Sequence, residues 1–229
     1  MIEHKSQLPL TTMIPIRDIE TFLLDLDGTL LDRYFDDHFW EHLLPEKYAQ
    51  KHNLDTAKAK EELSNKYKHH EGTLNWSDID FWSDELGMDI AILKEQVNHL
   101  IKVHRHVEEF LTMLNEDNKR VYLVTNSHYK TLDIKLRKTR LGRYFTKVIT
   151  SFDMDAPKEN EYFWVKLEKE LCFDKENSLL VDDTLEVLRT AKLFGIQYVV
   201  FKSIANSKKG MIYSNEFPAI ADFRELIYR

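Results

Sequence analysis

Apolar and polar positions follow two different rhythms along this chain. From about residue 105 onward, short apolar runs suited to strands (RVYLVTN, KVITS, NSLLVDD, IQYVVF) alternate with stretches of helical spacing. The helical stretches are VEEFLTMLNED, HYKTLDIKLRKTRL, KENEYFWVKLEKEL and TLEVLRTAKLFG. Alternation at this length predicts right-handed βαβ units and a parallel sheet. An earlier apolar run, Phe22, Leu23 and Leu24, reads as a buried strand of the same sheet. Between the two regions, residues 33–104 carry helical spacing and almost no strand signal, with an N-cap at Ser77 and Asp78 and a stop at Gly87. The pattern therefore predicts an α/β core built from residues 1–32 and 105–229, with an all-helical domain, 33–104, inserted after the first strand. Residues 1 to about 20, with Pro9 and Pro15, read as an irregular lead-in, 203–216 as a surface loop and ADFRELIY as a closing helix.

The ends of the predicted strands change the picture. The first runs into Asp25, Leu26, Asp27, Gly28 and Thr29, which places two carboxylates in the crevice outside a parallel sheet. Packing has no use for such a pair, because like charges repel and buried carboxylates are costly. RVYLVTN ends in Thr125, Asn126 and Ser127, which offer hydroxyl and amide donors to an anion. NSLLVDD ends in Asp182 and Asp183, and Lys158 precedes a helix between them. Singly these are helix caps and a surface charge. On one sheet edge they become four carboxylates, a hydroxyl and an ammonium. Such a set asks for a hard divalent cation, and Mg²⁺ suits all-oxygen ligands.

Composition narrows the field without naming a reaction. The 229 residues, 43% hydrophobic and 31% charged, suit a globular protein with a sizeable core. A net charge of −7 argues against nucleic acid as a partner. The single cysteine, Cys172, excludes an internal disulfide and reads as an inert core thiol in a helical pattern. No signal-peptide pattern opens the chain and no stretch approaches the ~18 apolar residues of a membrane span. A cytoplasmic protein that does not engage the membrane is expected.

In order along the chain, DLDGT at 25–29, Thr125, Lys158 and the Asp182–Asp183 pair resemble the signatures of the haloacid dehalogenase superfamily of phosphohydrolases. The resemblance implies a Rossmann-like doubly wound core with a helical cap domain. It implies Asp25 as the nucleophile that forms an aspartyl-phosphate and Asp27 as general acid and then base. Thr125, with Asn126 and Ser127, would bind the substrate's phosphate, and Lys158 would neutralise phosphate and nucleophile. Asp25, the backbone carbonyl of Asp27, Asp182 and Asp183 would hold Mg²⁺. Relatives that cleave carbon–halogen bonds lack the second acid, so Asp27 favours phosphate-ester cleavage.

Within that family, FDDHFWEHLLPEKYA, GTLNWSDIDFWSDELGMDI, TNSH at 125–128 and APK at 156–158 are similar to the bacterial GMP/IMP 5′-nucleotidases. This implies a small-molecule phosphate monoester as partner, a purine nucleoside 5′-monophosphate. Asp36, Asp37 and Asn75 become candidates for base or ribose hydrogen bonds. The cap aromatics Tyr34, Phe35, Phe39, Trp40, Trp76, Phe81 and Trp82 can stack on a base or fill the cap's own core. Asp32 and Arg33 mark the outgoing hinge, and Arg105 is placed where it could reach phosphate. His69–His70 and His104–His106 lack the spacing of a metal site. A sugar-phosphate phosphatase or phosphomutase, a broad phosphatase and a non-catalytic phospho-ligand sensor stay open.

Overall fold

A computed structural model describes residues 14–228; residues 1–13, Pro9 among them, lie outside the described residues. Six parallel strands form one sheet in the order β3-β2-β1-β4-β5-β6. They are β1 (Thr21–Leu24), β2 (Arg120–Thr125), β3 (Lys147–Thr150), β4 (Ser178–Asp182), β5 (Tyr198–Lys202) and β6 (Ala219–Ile220). β1 is central, with Leu24 level with Leu123 of β2 and Val181 of β4. The Asp25 N–H extends that ladder by donating to the Val181 carbonyl at 3.0 Å. The order reverses at β1, and in a doubly wound sheet the crevice at such a point takes the ligand.

Alternation along the strands divides the core in two. Phe22 and Leu24 join Val121, Leu123, Leu179 and Val181 beneath α5 (Val107–Glu116) and α6 (Tyr129–Thr139). Leu23 faces the other way, with Tyr122, Val124 and Leu180 beneath α7 (Glu161–Leu171) and α8 (Leu185–Phe194). All four residues of β1 are buried, as a sheet covered on both faces requires.

The insert between β1 and β2 is helical, as its spacing predicts. α1 runs through Tyr34–His38, a π-helical turn Phe39–Leu43, and Leu44–His52. It is followed by α2 (Thr56–Lys68), α3 (Ile79–Leu86) and α4 (Ile90–Gln96). Asp78 caps α3, accepting from the Asp80 and Phe81 N–H groups at 2.9 and 3.1 Å, and Gly87 ends it at φ 60°. Phe35, Phe39, Trp82 and Ile90 of the insert belong to the same apolar cluster as Phe22 and Leu24. The chain leaves and returns side by side: Asp32 N–H donates to the Lys102 carbonyl and His104 N–H to that of Leu30, both at 2.9 Å. Asp32, in this linker, accepts from the N–H groups of Tyr34 and Ser207 at 3.0 Å.

Two expectations are corrected. Cys172 is exposed, not a core thiol: it ends α7 in a left-handed turn (φ 48°), where the helical stripe has already run out. The closing helix is only a 3₁₀ turn, Phe223–Leu226, after which Ile227 is extended. Ala219–Ile220, just before it, pair with Phe201–Lys202 as the edge strand β6, too short to leave a periodic signal. Segment 203–216 is irregular as expected, but Ala205 and Asn206 are buried. Asn206 Nδ2 donates to Asp37 Oδ2 on α1 at 2.7 Å, tying this loop to the insert.

Candidate active site

The strand ends meet as the sequence predicts. Lys158 Nζ, 2% exposed, donates to Asp25 Oδ1 at 2.6 Å, to Asp182 Oδ2 at 2.7 Å and to the Val124 carbonyl at 3.2 Å. One carboxylate oxygen from each of Asp25, Asp182 and Asp183 falls within 4.8 Å of the others. Arg33, expected only as a hinge residue, donates to Asp183 Oδ2 at 2.7 Å. Two cations thus face three buried carboxylates, and Asp25 Oδ2 has no hydrogen-bond partner. That orphan oxygen and the surplus negative charge fit a bound divalent cation.

Gly28 allows the carboxylates this proximity. At φ +93°, it has no Cβ, and one built there would lie 2.2 Å from Asp183 Oδ2. The Lys158 loop is fixed from both ends. Asn126 Oδ1 accepts the Lys158 N–H at 3.0 Å, Asn126 Nδ2 donates to Glu159 Oε2 at 2.9 Å, and Trp164 Nε1 donates to the Lys158 carbonyl at 2.7 Å. The side chain of Asn126, expected on the substrate, makes two bonds to the loop and also lines the cleft. Thr125 Oγ1 accepts the Ser127 N–H at 3.0 Å, which leaves its hydroxyl proton free to point at an anion.

Asp27 does not turn towards the other carboxylates. Its Oδ1 pairs at 2.7 Å with Lys135 Nζ of α6, which also donates to Asp36 Oδ2 of α1 at 2.7 Å. Asp36 Oδ1 in turn takes Lys94 Nζ of α4 at 2.8 Å. Both lysines are 1% exposed. Lys94 lies 4.7 Å from the Phe39 ring centroid and 5.4 Å from that of Trp40. The sequence reading missed both lysines, although the signal was there. Lys94 stands between Ile90 and Val97 on an inward helical stripe, and Lys135 one turn from the buried Thr131. A lysine inside an apolar stripe needs a buried partner.

The electrostatics follow from this geometry. Burial pushes the Asp25 carboxyl up, with Lys158 opposing it. Burial lifts Asp183 to about 8 against the pull of Arg33. Asp27 rises to about 6, because burial outweighs the attraction of Lys135. Burial would also lift Asp36, but Lys135 and Lys94 hold it well below the usual carboxylate range. For Lys158, burial opposes the charge, and the Asp182 and Asp25 carboxylates override it and raise the ammonium's pKa.

These groups open on a cleft of about 420 Å³, within the usual size of a small-molecule site. Asp25, Asp27, Thr125, Asn126, Ser127, Lys158 and Asp183 line it, while Asp182 supports it from beneath at 1% exposure. The insert contributes Asp36, Asp37, Trp40, Tyr67, Trp76 and Trp82 to the lining. Asn75 and Arg105 are not part of it, and Arg105 faces solvent on the return linker. His128, overlooked on this edge, lines the cleft with Nε2 3.5 Å from Asp78 Oδ1. His106 pairs with Asp222 at 2.6 Å instead of joining a metal-binding group. Among the described residues, the group able to hold a metal is the acidic triad, and no helix is long and apolar enough to cross a membrane.

Comparison with known proteins agrees with this geometry. A family model described as haloacid dehalogenase-like hydrolase matches residues 19–195. GMP/IMP nucleotidase YrfG of Escherichia coli K12 is 32% identical over 213 residues, covering 92% of this chain and 95% of that protein. A HAD phosphatase from Thermococcus onnurineus superposes with a TM-score of 0.76 at 22% identity, over 91% of this chain and 96% of its own. The HAD-hydrolase YfnB of Bacillus subtilis, a magnesium-bound structure, gives 0.63 at 19% identity over the same shares. With its triad, its lysine and its acidic turn gathered at the switch point of the sheet, the chain belongs to the haloacid dehalogenase-like hydrolases, on their phosphohydrolase side.

Proposed function

We propose that this protein is a Mg²⁺-dependent phosphomonoesterase that hydrolyses purine nucleoside 5′-monophosphates. The observation that carries the reading is the buried Lys158 bridge between Asp25 and Asp182, which leaves Asp25 Oδ2 unpartnered beside the Asp27 turn. The similarity to GMP/IMP nucleotidase YrfG supports the purine nucleotide. Residues 33–104 act as the cap over a core of 1–32 and 105–229, with the paired linkers at 30–32 and 102–104 as its stem.

Asp25, Asp182 and Asp183 would hold Mg²⁺, with the Asp27 backbone carbonyl as a further oxygen. When bound, the ion offsets the negative charge of carboxylate and phosphate as they approach. Thr125 and Ser127 orient the phosphate, and Lys158 screens it from Asp25. Asp25 attacks phosphorus in line: the P–O bond to the leaving group breaks as the aspartyl-phosphate bond forms. Asp27, lifted to about 6, gives its proton to the leaving 5′-oxygen. It then takes a proton from the water that hydrolyses the aspartyl-phosphate, which restores Asp25 and releases phosphate. Because water is the acceptor, this route is hydrolysis and not the transfer of a mutase.

A phosphate-release panel with and without Mg²⁺ tests the reading. GMP and IMP should lead the panel, and Asp25→Asn should abolish turnover. Wild-type turnover in Asp25→Asn would refute the mechanism, and sugar phosphates far ahead of GMP and IMP would refute the substrate.

A further inference from the structure

The cap side of the cleft holds a feature that the phosphate chemistry leaves unused. Tyr67 of α2 stands edge-to-face against three tryptophans that line the same cleft. Its ring centroid is 5.7 Å from Trp40, 6.4 Å from Trp76 and 5.1 Å from Trp82, at interplanar angles of 86°, 83° and 88°. Trp76 is 45% exposed, a large apolar surface left open at this end, while Trp82 is 1% exposed behind it and donates Nε1 to the Trp76 carbonyl at 3.2 Å. The walls are rigid, planar and apolar.

Two hydroxyls in this lining are buried without a hydrogen-bond partner: Tyr67 Oη and Thr131 Oγ1. A buried hydroxyl with no partner costs free energy that phenylalanine or valine in the same place would avoid. Packing therefore does not account for either. Thr131, 3% exposed, lies one helical turn before Lys135, whose ammonium is 2.7 Å from Asp27. It stands near the reacting end of the cleft, and Tyr67 stands among the tryptophans of the cap. Both hydroxyls belong to the lining of the same cleft.

We infer that Tyr67 is the specificity-determining residue for the base, with Trp40 and Trp76 as its aromatic walls and Trp82 backing them, and that Thr131 holds the sugar beside Asp27. This rests on the nucleotidase reading and deepens it. A planar heteroaromatic base fills the walls, and a polar group on its edge completes the hydrogen bond that Tyr67 lacks. Asp36, which the sequence offered for this task, is already held by two lysines.

The test compares wild type, Tyr67→Phe and Thr131→Val, all full chain with Mg²⁺, on IMP, GMP and ribose 5-phosphate. Each substitution deletes a hydroxyl at nearly constant shape, and a thermal melt checks folding. Tyr67→Phe should lower the ratio of kcat/KM for IMP to that for ribose 5-phosphate about tenfold, mostly through KM. Thr131→Val should lower kcat/KM on all three substrates by a similar factor and leave the ratio unchanged. A Tyr67→Phe ratio within twofold of wild type would overturn the inference. The nucleotidase reading is judged separately, on wild type alone: if IMP and GMP do not exceed ribose 5-phosphate there, that reading fails and takes the inference with it.

Discussion

Replacing Lys135 with methionine keeps the length of the side chain and removes a single buried charge. Asp36 keeps Lys94 at 2.8 Å, whereas Asp27 loses the cation that Lys135 holds 2.7 Å from its Oδ1. Asp27 is already lifted to about 6 by burial, with Lys135 as the main opposing pull, so its pKa climbs further in the variant. Its ordinary value in the unfolded chain is about 3.9. A carboxyl raised above its unfolded value weighs against the native state as pH rises, and the variant retains its proton to higher pH than wild type. At pH 5 both proteins hold the proton and this group contributes almost no difference. Above pH 6 the gap widens by about 1.4 kcal/mol per pH unit, to roughly 2–3 kcal/mol at pH 8. Urea unfolding followed by tryptophan fluorescence, in EDTA at pH 5, 7 and 8, reads this slope. A Lys135→Met destabilisation that is the same at all three values, or larger at pH 5, would refute the pairing.

Gly28→Ala puts a Cβ 2.2 Å from Asp183 Oδ2 at φ +93°, so the carboxylate must leave Arg33. Strain and the broken pair should cost about 2–3 kcal/mol, a drop in Tm of roughly 5–10 °C, and differential scanning fluorimetry should show the stabilisation by Mg²⁺ lost. His104 is driven to about 4 by burial and by Lys202, with Asp32 and Asp222 pulling the other way, and its Nε2 lies 3.3 Å from the Ala205 carbonyl. The unfolded chain protonates this imidazole below about 6.5 while the native state does not until about 4. Stability should therefore fall across that window by up to ~3 kcal/mol, and His104→Gln should flatten the fall in urea titrations at pH 7 and 4.5.

The parallel sheet and the acidic strand ends were legible because each rests on local text. FLL before DLDGT is a buried strand with a turn, and the register of β1 with β2 and β4 then brings Asp25, Thr125 and Asp182 to one edge. The relay from Asp27 through Lys135 and Asp36 to Lys94 was not legible as a unit. Its members sit up to 108 residues apart (Asp27 to Lys135), and the sequence offers Asp27 for catalysis and Asp36 for the substrate without pairing either with a lysine. The two bonds of Asn126 to the Lys158 loop were hidden for a related reason. A strand-end amide can face a ligand or a neighbouring loop, and its partners here, the Lys158 N–H and the Glu159 carboxylate, stand 32 and 33 positions away. Tyr67 was overlooked because α2 is mostly charged on its other faces, so its inward tyrosine drew no notice among the cap's tryptophans.

The insert and one face of the sheet share an unbroken apolar interior, from Phe39 and Trp82 through Phe35 to Leu24 and Phe22. The charged group of Asp27, Lys135, Asp36 and Lys94 lies alongside it, with the Lys94 and Lys135 ammoniums 5.0 and 5.4 Å from the Phe35 ring centroid. Denaturation should therefore melt both parts together, and grafting this insert onto another catalytic base would expose greasy surface on donor and recipient alike. Exchange of the whole insert is thus penalised by folding itself.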